Sequence, residues 1–176
     1  MRRTRDTSVV VFDLETTGLR PEKWHRIIEI GAVRLIDRDV MDEFSSLVRP
    51  DRTVPRTAAG IHGLTDRDLS AAPPPEEVFP RFAAFIKRST LVAHNAAFDV
   101  PFLRKEFSRF NLRFGNPVVC TLKMARRLLP DLPDYRLETV ARRVIGSLPE
   151  ETRLHRALDD ARLAAGIWLK LCGEQV

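Results

Sequence analysis

Cysteine is scarce in this chain: there are two among 176 residues, Cys120 and Cys172. Two cysteines build no disulfide framework, and these are not at the spacing of a metal knuckle. They suit a reducing compartment. No apolar run approaches the roughly 18 residues of a membrane helix. The apolar stretch after the charged N-terminus, residues 9–12, is too short for the core of a signal peptide. Also missing are internal repeats, a Gly/Ser linker, a Gly-Lys-Ser/Thr phosphate loop, a G-x-G-x-x-G fingerprint and a G-x-S-x-G elbow. Those absences leave a soluble, cytoplasmic protein that contacts no membrane as the expectation.

What is present suffices for a core. Apolar residues make up 44% of the chain, and a domain of this length buries roughly 70% of its unfolded surface. Residues 1–7 read as a loose charged tail, and 8–172 as a single domain. The formal net charge is +5, and arginine supplies 24 of the 29 basic residues. A basic, arginine-rich chain points to an anionic partner, because the guanidinium fork matches phosphate.

The hydrophobic pattern predicts a buried strand over 8–14 and a second over 27–36, where apolar residues occupy both faces. A third strand over 40–48 follows a short turn and so runs antiparallel to the second. Pro73-Pro74-Pro75 leads into a helix within 70–88, since proline fits a first helical turn. Short strands are expected at 90–93 and 118–121. Helices are expected at 98–110, 122–129, 137–145 and 156–171. Three strands followed by alternating helices and strands imply an α/β fold, a mixed sheet flanked by helices.

Three groups carry chemistry. Asp13 and Glu15 end the first strand two residues apart, on one face. Two such carboxylates repel unless cations sit between them or one is protonated. Oxygen-rich sites of this kind suit Mg²⁺ or Mn²⁺. Asp99 falls in the first turn of a helix, five residues after His94. His155 precedes Asp159 and Asp160. A five-residue helical step turns about 140°, so His155 meets Asp160 only from the loop before the helix. Each group also has an ordinary reading: solvated strand-end acids, acids at a helix N-terminus, a satisfied strand-end histidine at His94. Together, four carboxylates and a histidine near strand ends and helix starts fit two-metal phosphoryl chemistry, in which a histidine takes a proton from the attacking water.

The segments F-D-L-E-T-T-G-L (12–19), H-N-A-A-F-D-V-P-F-L (94–103) and H-R-A-L-D-D (155–160) resemble the three motifs of the DEDDh 3′–5′ exonucleases, the epsilon-type proofreading nucleases above all. I-H-G-L-T-D (61–66) also matches, and the resemblance covers about residues 8–170. It implies a ribonuclease H-like fold with a five-stranded mixed sheet. It makes Asp13, Glu15, Asp99 and Asp160 ligands of two divalent cations, Mg²⁺ or Mn²⁺. His155 becomes the general base, and the product a nucleoside 5′-monophosphate. A sister branch has tyrosine four residues before the last aspartate; Arg156 stands there, so the histidine branch is indicated. The motif's spacing makes Asp159 a decoy. By the same resemblance Thr16, Thr17 and Gly18 approach the terminal nucleotide by backbone. Leu19 is an apolar wedge between the last two bases. His62 and Phe98 line the nucleotide pocket, with Asn95 at its edge.

The expected partner is a single-stranded 3′ end, DNA rather than RNA, because no extra basic and aromatic segment of the ribonuclease T type is evident. An exoribonuclease and a silent nucleic-acid-binding module are the alternatives. A DNA polymerase subunit is a further expected partner. The glutamine-led clamp motif and C-terminal extension of replicative epsilon subunits have no counterpart here, where Gln175 is the one glutamine. Arg104, Lys105 and Arg109 either track the strand or form a solvated helix face.

Overall fold

The computed structural model describes residues 8–148 and 152–173. The charged segment 1–7, residues 149–151 and Gln175 lie outside the described residues. The elements run β1 (Val9–Thr16), β2 (Ile27–Ile36), β3 (Asp39–Leu47), α1 (Arg56–His62), α2 (Asp66–Leu69), α3 (Pro75–Ile86), β4 (Thr90–Ala93), α4 (Ala96–Arg109), β5 (Val118–Cys120), α5 (Thr121–Leu128), α6 (Leu137–Ile145) and α7 (Ala157–Gly173). They form the mixed five-stranded sheet the sequence predicts, in the order β3-β2-β1-β4-β5. β1 is antiparallel to β2 and parallel to β4, which is parallel to β5. A two-residue turn, Asp37-Arg38, joins β2 to β3 with φ of 49° and 77°, the twist-matched geometry of a tight hairpin.

Central position explains the composition of β1. Side chains alternate across a strand, so Val10, Phe12 and Leu14 join the cluster built on α3 and α4 by Phe79, Phe82, Phe102 and Phe107. Val9 and Val11 face the opposite way, toward Ala161, Ala164 and Ala165 of α7. Alanines let that helix lie close to the sheet. A third cluster, Ala125, Val140, Leu163 and Ile167 among others, packs α5 and α6 against α7. No helix among the described residues is long and apolar enough to cross a membrane.

Three elements, β1, α1 and α2, go beyond the sequence expectation. β1 continues two residues further, to Thr16, held by pairing with β2 through a bulge at Glu15/Thr16. α1 and α2 occupy a segment for which the hydrophobic pattern predicts no element. α1 has seven residues, carries Gly60 and lacks a long apolar face. Its stop was legible, however: Gly63 takes φ +73° and its N–H bonds Ala59 O, the usual glycine C-cap. α2 begins with a Thr65/Asp68 capping box.

Candidate active site

The odd-numbered face of β1 passes from Val9 and Val11 to Asp13 and Glu15, which therefore turn toward the N-terminal end of α7. The approach is close. A Cβ on Gly31, the β2 residue paired with Asp13, would stand 2.1 Å from the backbone of Ala157 and Leu158. Only glycine fits there. α7 thus starts against the sheet beside Asp13.

The lead-in to α7 places His155 and Asp160 together. His155 takes a left-handed φ of 63° just before the helix, so the loop position required by the spacing is met. Its backbone N–H donates to Asp160 Oδ2 at 3.1 Å. Glu15, His155 and Asp160 each offer a ligand atom within 4.8 Å of one another. Glu15 and Asp160 are buried; His155 is exposed. Asp99 is buried in the first turn of α4, which leaves β4 after only two residues.

The electrostatics are unbalanced. Burial, and then the charges of Asp99, Asp160, Glu15 and Glu29, hold Asp13 well above the usual carboxylate range. Glu15 is pushed up to about 9 by burial and then by Asp160, Glu29 and Asp99. Burial raises Asp99 and lifts Asp160 to about 6. Among the described residues no lysine or arginine forms an ion pair with any of the four. Asp160 Oδ1 is buried without a hydrogen-bond partner. An orphaned carboxylate oxygen in a cluster of mutually repelling acids fits a hard divalent cation.

Another buried acid, missed from sequence, behaves differently. Glu29 lies opposite Glu15 in the β1–β2 register. It accepts Arg156 Nη2 at 2.8 Å and Arg156 Nε at 3.1 Å, and also the Ala157 backbone N–H at 3.2 Å. One carboxylate therefore anchors the residue after His155 and the first N–H of α7. Asp159 points elsewhere, accepting Arg162 Nη1 at 3.0 Å and the Arg153 N–H at 3.1 Å.

The expected substrate residues divide between two cavities. An apolar one of about 310 Å³ is lined by Glu15, Thr16, Gly18, Leu19, His62 and Phe98, with Ala58 and Ile61 from α1. His62 Nδ1 accepts the Leu64 N–H at 3.0 Å, so the neutral ring carries its proton on Nε2. That atom is buried and unpartnered, a donor available to a ligand. Leu19 is 73% exposed at the rim. Thr17 is buried; its Oγ1 accepts the Arg26 N–H at 2.9 Å, a structural bond. Asn95 lines the second cavity, about 640 Å³, with His155, Asp160, Arg126 and Arg136. His94 is the satisfied strand-end histidine: its two ring nitrogens meet Thr121 Oγ1 and the Tyr135 carbonyl, each at 2.9 Å.

Comparison with known proteins bears on the family and the fold. The exonuclease family typified by ribonuclease T matches residues 10–168. The PolC-type DNA polymerase III of Clostridium perfringens is 42% identical over 162 residues, 92% of this chain and 11% of the polymerase. An epsilon-like DNA polymerase III subunit protein of Rhodobacter capsulatus is 38% identical over 164 residues, 92% of this chain and 23% of that protein. The chain thus spans about a tenth to a quarter of the length of these relatives. Exonuclease X in complex with 5′-overhanging duplex DNA superposes with a TM-score of 0.76 at 30% identity, covering 95% of this chain and 92% of the other. The nuclease domain of 3′hExo, a DEDDh member bound to rAMP, gives 0.79 at 19% identity over 98% and 94% of the two chains, a likeness of fold. The fold is ribonuclease H-like, and a divalent-metal requirement goes with the family and with the acidic cluster. The chain belongs to the ribonuclease T-type exonuclease family, the DEDDh exonucleases that its three motifs resemble.

Proposed function

We propose that this chain removes nucleotides from the 3′ end of single-stranded or frayed DNA, releasing nucleoside 5′-monophosphates. The observation that carries this reading is the unbalanced carboxylate cluster, with His155 at its exposed side and an apolar, base-sized cavity beside Glu15. Asp13, Glu15, Asp99 and Asp160 would hold two divalent cations, Mg²⁺ or Mn²⁺. Bound cations supply the positive charge that activates water and stabilises charge developing on the phosphate.

The chain's own residues do the rest. The 310 Å³ cavity takes the terminal base between Leu19, Phe98 and the His62 Nε2–H donor. Its apolar walls do not read base identity, as proofreading of any mismatch requires. Thr16 and Gly18 border the same cavity. The arginines of the 640 Å³ cavity, Arg126 and Arg136, add positive charge on the far side of Asp160. His155, exposed and adjacent to Asp160, accepts the proton of the attacking water. Residues 8–172 act as one exonuclease domain in the cytoplasm, and association with a DNA polymerase is part of this reading, given the polymerase relatives.

The test compares 3′-end degradation of matched DNA and RNA oligonucleotides with Mg²⁺ or Mn²⁺, with EDTA, and in Asp13→Ala and His155→Ala. Faster release of deoxynucleoside monophosphates is expected, lost in EDTA and reduced about 10²–10⁴-fold in His155→Ala. Faster trimming of RNA would transfer the site to ribonuclease work. Loss of neither strand would remove the enzymatic reading and leave a binding module.

A further inference from the structure

We propose that Trp24 is a stacking platform for an unpaired base of the DNA strand, upstream of the 3′-terminal nucleotide. The proposal rests on the single-stranded DNA reading above and adds a contact outside the catalytic cluster.

The segment between β1 and β2 is a closed excursion. Thr17 N–H donates to Arg26 O at 2.9 Å, and Arg26 N–H donates to Thr17 Oγ1 at 2.9 Å. Residues 18–25 project between these ties, starting beside Glu15. They display two large apolar side chains, Leu19 at 73% and Trp24 at 66% exposure. Leu19 and the exposed Ile61 line the rim of the apolar cavity. Water-exposed tryptophan gains nothing for folding, since its burial would be the favourable state.

Trp24 is also held against its own preference. It takes φ of 65°, a left-handed conformation that costs a bulky residue free energy. Several bonds impose it. Its N–H donates to Pro21 O at 3.1 Å. Arg52 Nη1 donates to the Trp24 carbonyl at 2.8 Å and to the Lys23 carbonyl at 3.3 Å. His25 accepts the Arg20 N–H on Nδ1 at 3.0 Å, and its ring fills the space where Gly18 lacks a Cβ. Strain held in place by several contacts motivates a functional reading of the position.

The surroundings select the occupant. Lys105 Nζ lies 5.3 Å from the centroid of the Trp24 ring. Arg20, Lys23 and Arg52 carry further positive charge on or beside the excursion, against Glu22 alone on it. Asp51 is engaged by Arg26 and Arg109. An indole among cations, on the same excursion as the rim residue Leu19, suits a polyanion with stackable faces. Aromatic stacking holds successive bases without reading sequence, and cations follow the phosphates. An acidic or apolar protein segment would not need the ring presented this way beside the nucleotide cavity.

The test uses Trp24 as its own reporter. Trp168→Phe leaves it the sole tryptophan, and EDTA prevents cleavage. Titration with dT12 is expected to quench its fluorescence, whereas dTMP does not. The affinity advantage of dT12 over dT2 is expected to shrink about 5- to 100-fold in Trp24→Ala, and Trp24→Phe to restore most of it. Trp24→Gly is expected to lose the same advantage while raising Tm by about 2–4 °C, because glycine takes positive φ without strain. A purely structural role predicts no link between Tm and oligonucleotide length. Absent quenching, or an undiminished length advantage in Trp24→Ala, overturns the proposal while the cleavage reading stands. No preference for dT12 in the unsubstituted chain, together with no cleavage in Mg²⁺, overturns both.

Discussion

Glu15 and Glu29 face each other across the β1–β2 register, both nearly out of contact with solvent, yet their surroundings are opposite. Glu29 receives a guanidinium and a backbone N–H. Among the described residues Glu15 forms no ion pair with an arginine or a lysine, and it stands among three more carboxylates that the charge of Arg156 only partly offsets. The same contrast recurs on α4. Glu106 is buried and takes Arg26 Nε at 2.6 Å and Nη2 at 3.1 Å, while Asp99, two turns earlier on that helix, is raised by burial and takes no such partner. Where this chain needs rigidity it neutralises a buried acid internally. Where it leaves acids unneutralised, the compensating charge must come from outside. The paired acids then hold the unpaired ones in place: Glu29 fixes the start of α7, and Glu106 ties the segment after β1 to α4.

Neutralising one acid from each set separates the two roles. Glu15→Gln is expected to reduce cleavage about 10²–10³-fold, the scale of losing one preorganised electrostatic group, while raising Tm in EDTA at pH 8. Glu29→Gln is expected to reduce cleavage by about 10–100-fold, as for residues that orient a metal site, while lowering Tm because Arg156 loses its anion. Thermal melts in EDTA beside steady-state cleavage check both; equal signs in Tm would break the comparison. Arg26→Met removes one side of the buried Arg26–Glu106 pair. Breaking such a pair costs about 3–5 kcal/mol, so Tm should fall by about 6–20 °C. Asp159→Asn loses a bond to the half-exposed Arg162, worth about 1 kcal/mol or less. Cleavage should be unchanged, which checks that Asp160 and not its neighbour belongs to the site.

How much of this could be read from residues alone follows from distance along the chain. Asp13 and Glu15 were legible because strand alternation is local. So was the position of His155, because a five-residue step excludes a shared helical face. Recognition of the three motifs joined segments that periodicity alone could not bring together. The Glu29–Arg156 pair was not legible: its partners are 127 residues apart, and Glu29 sits in a largely apolar strand. Nor was the need for glycine at position 31, which arises only when α7 meets the sheet. α1 escaped because seven residues provide too little periodicity, although the glycine after it was a signal. Arg109, read as a strand-tracking or solvated residue, is engaged by Asp51, and Lys105 lies over Trp24.

The most direct test of the central claim, that the unneutralised carboxylates form a divalent-cation site, is Tm against pH with and without metal. Glu15 titrates near 4.5 when unfolded and is raised to about 9 in the fold. Between those values the folded state retains the proton that the unfolded state has lost, so stability falls as pH rises. Asp160, raised to about 6, acts in the same direction at the lower end, and Asp13 and Asp99 add to it. In EDTA, Tm should therefore decline from pH 5 to pH 9. Mn²⁺ or Mg²⁺ should raise it, and by more at pH 8 than at pH 5, because cations displace those protons. A Tm in EDTA that is flat or rising across this window, with no increment from either metal, would contradict the account.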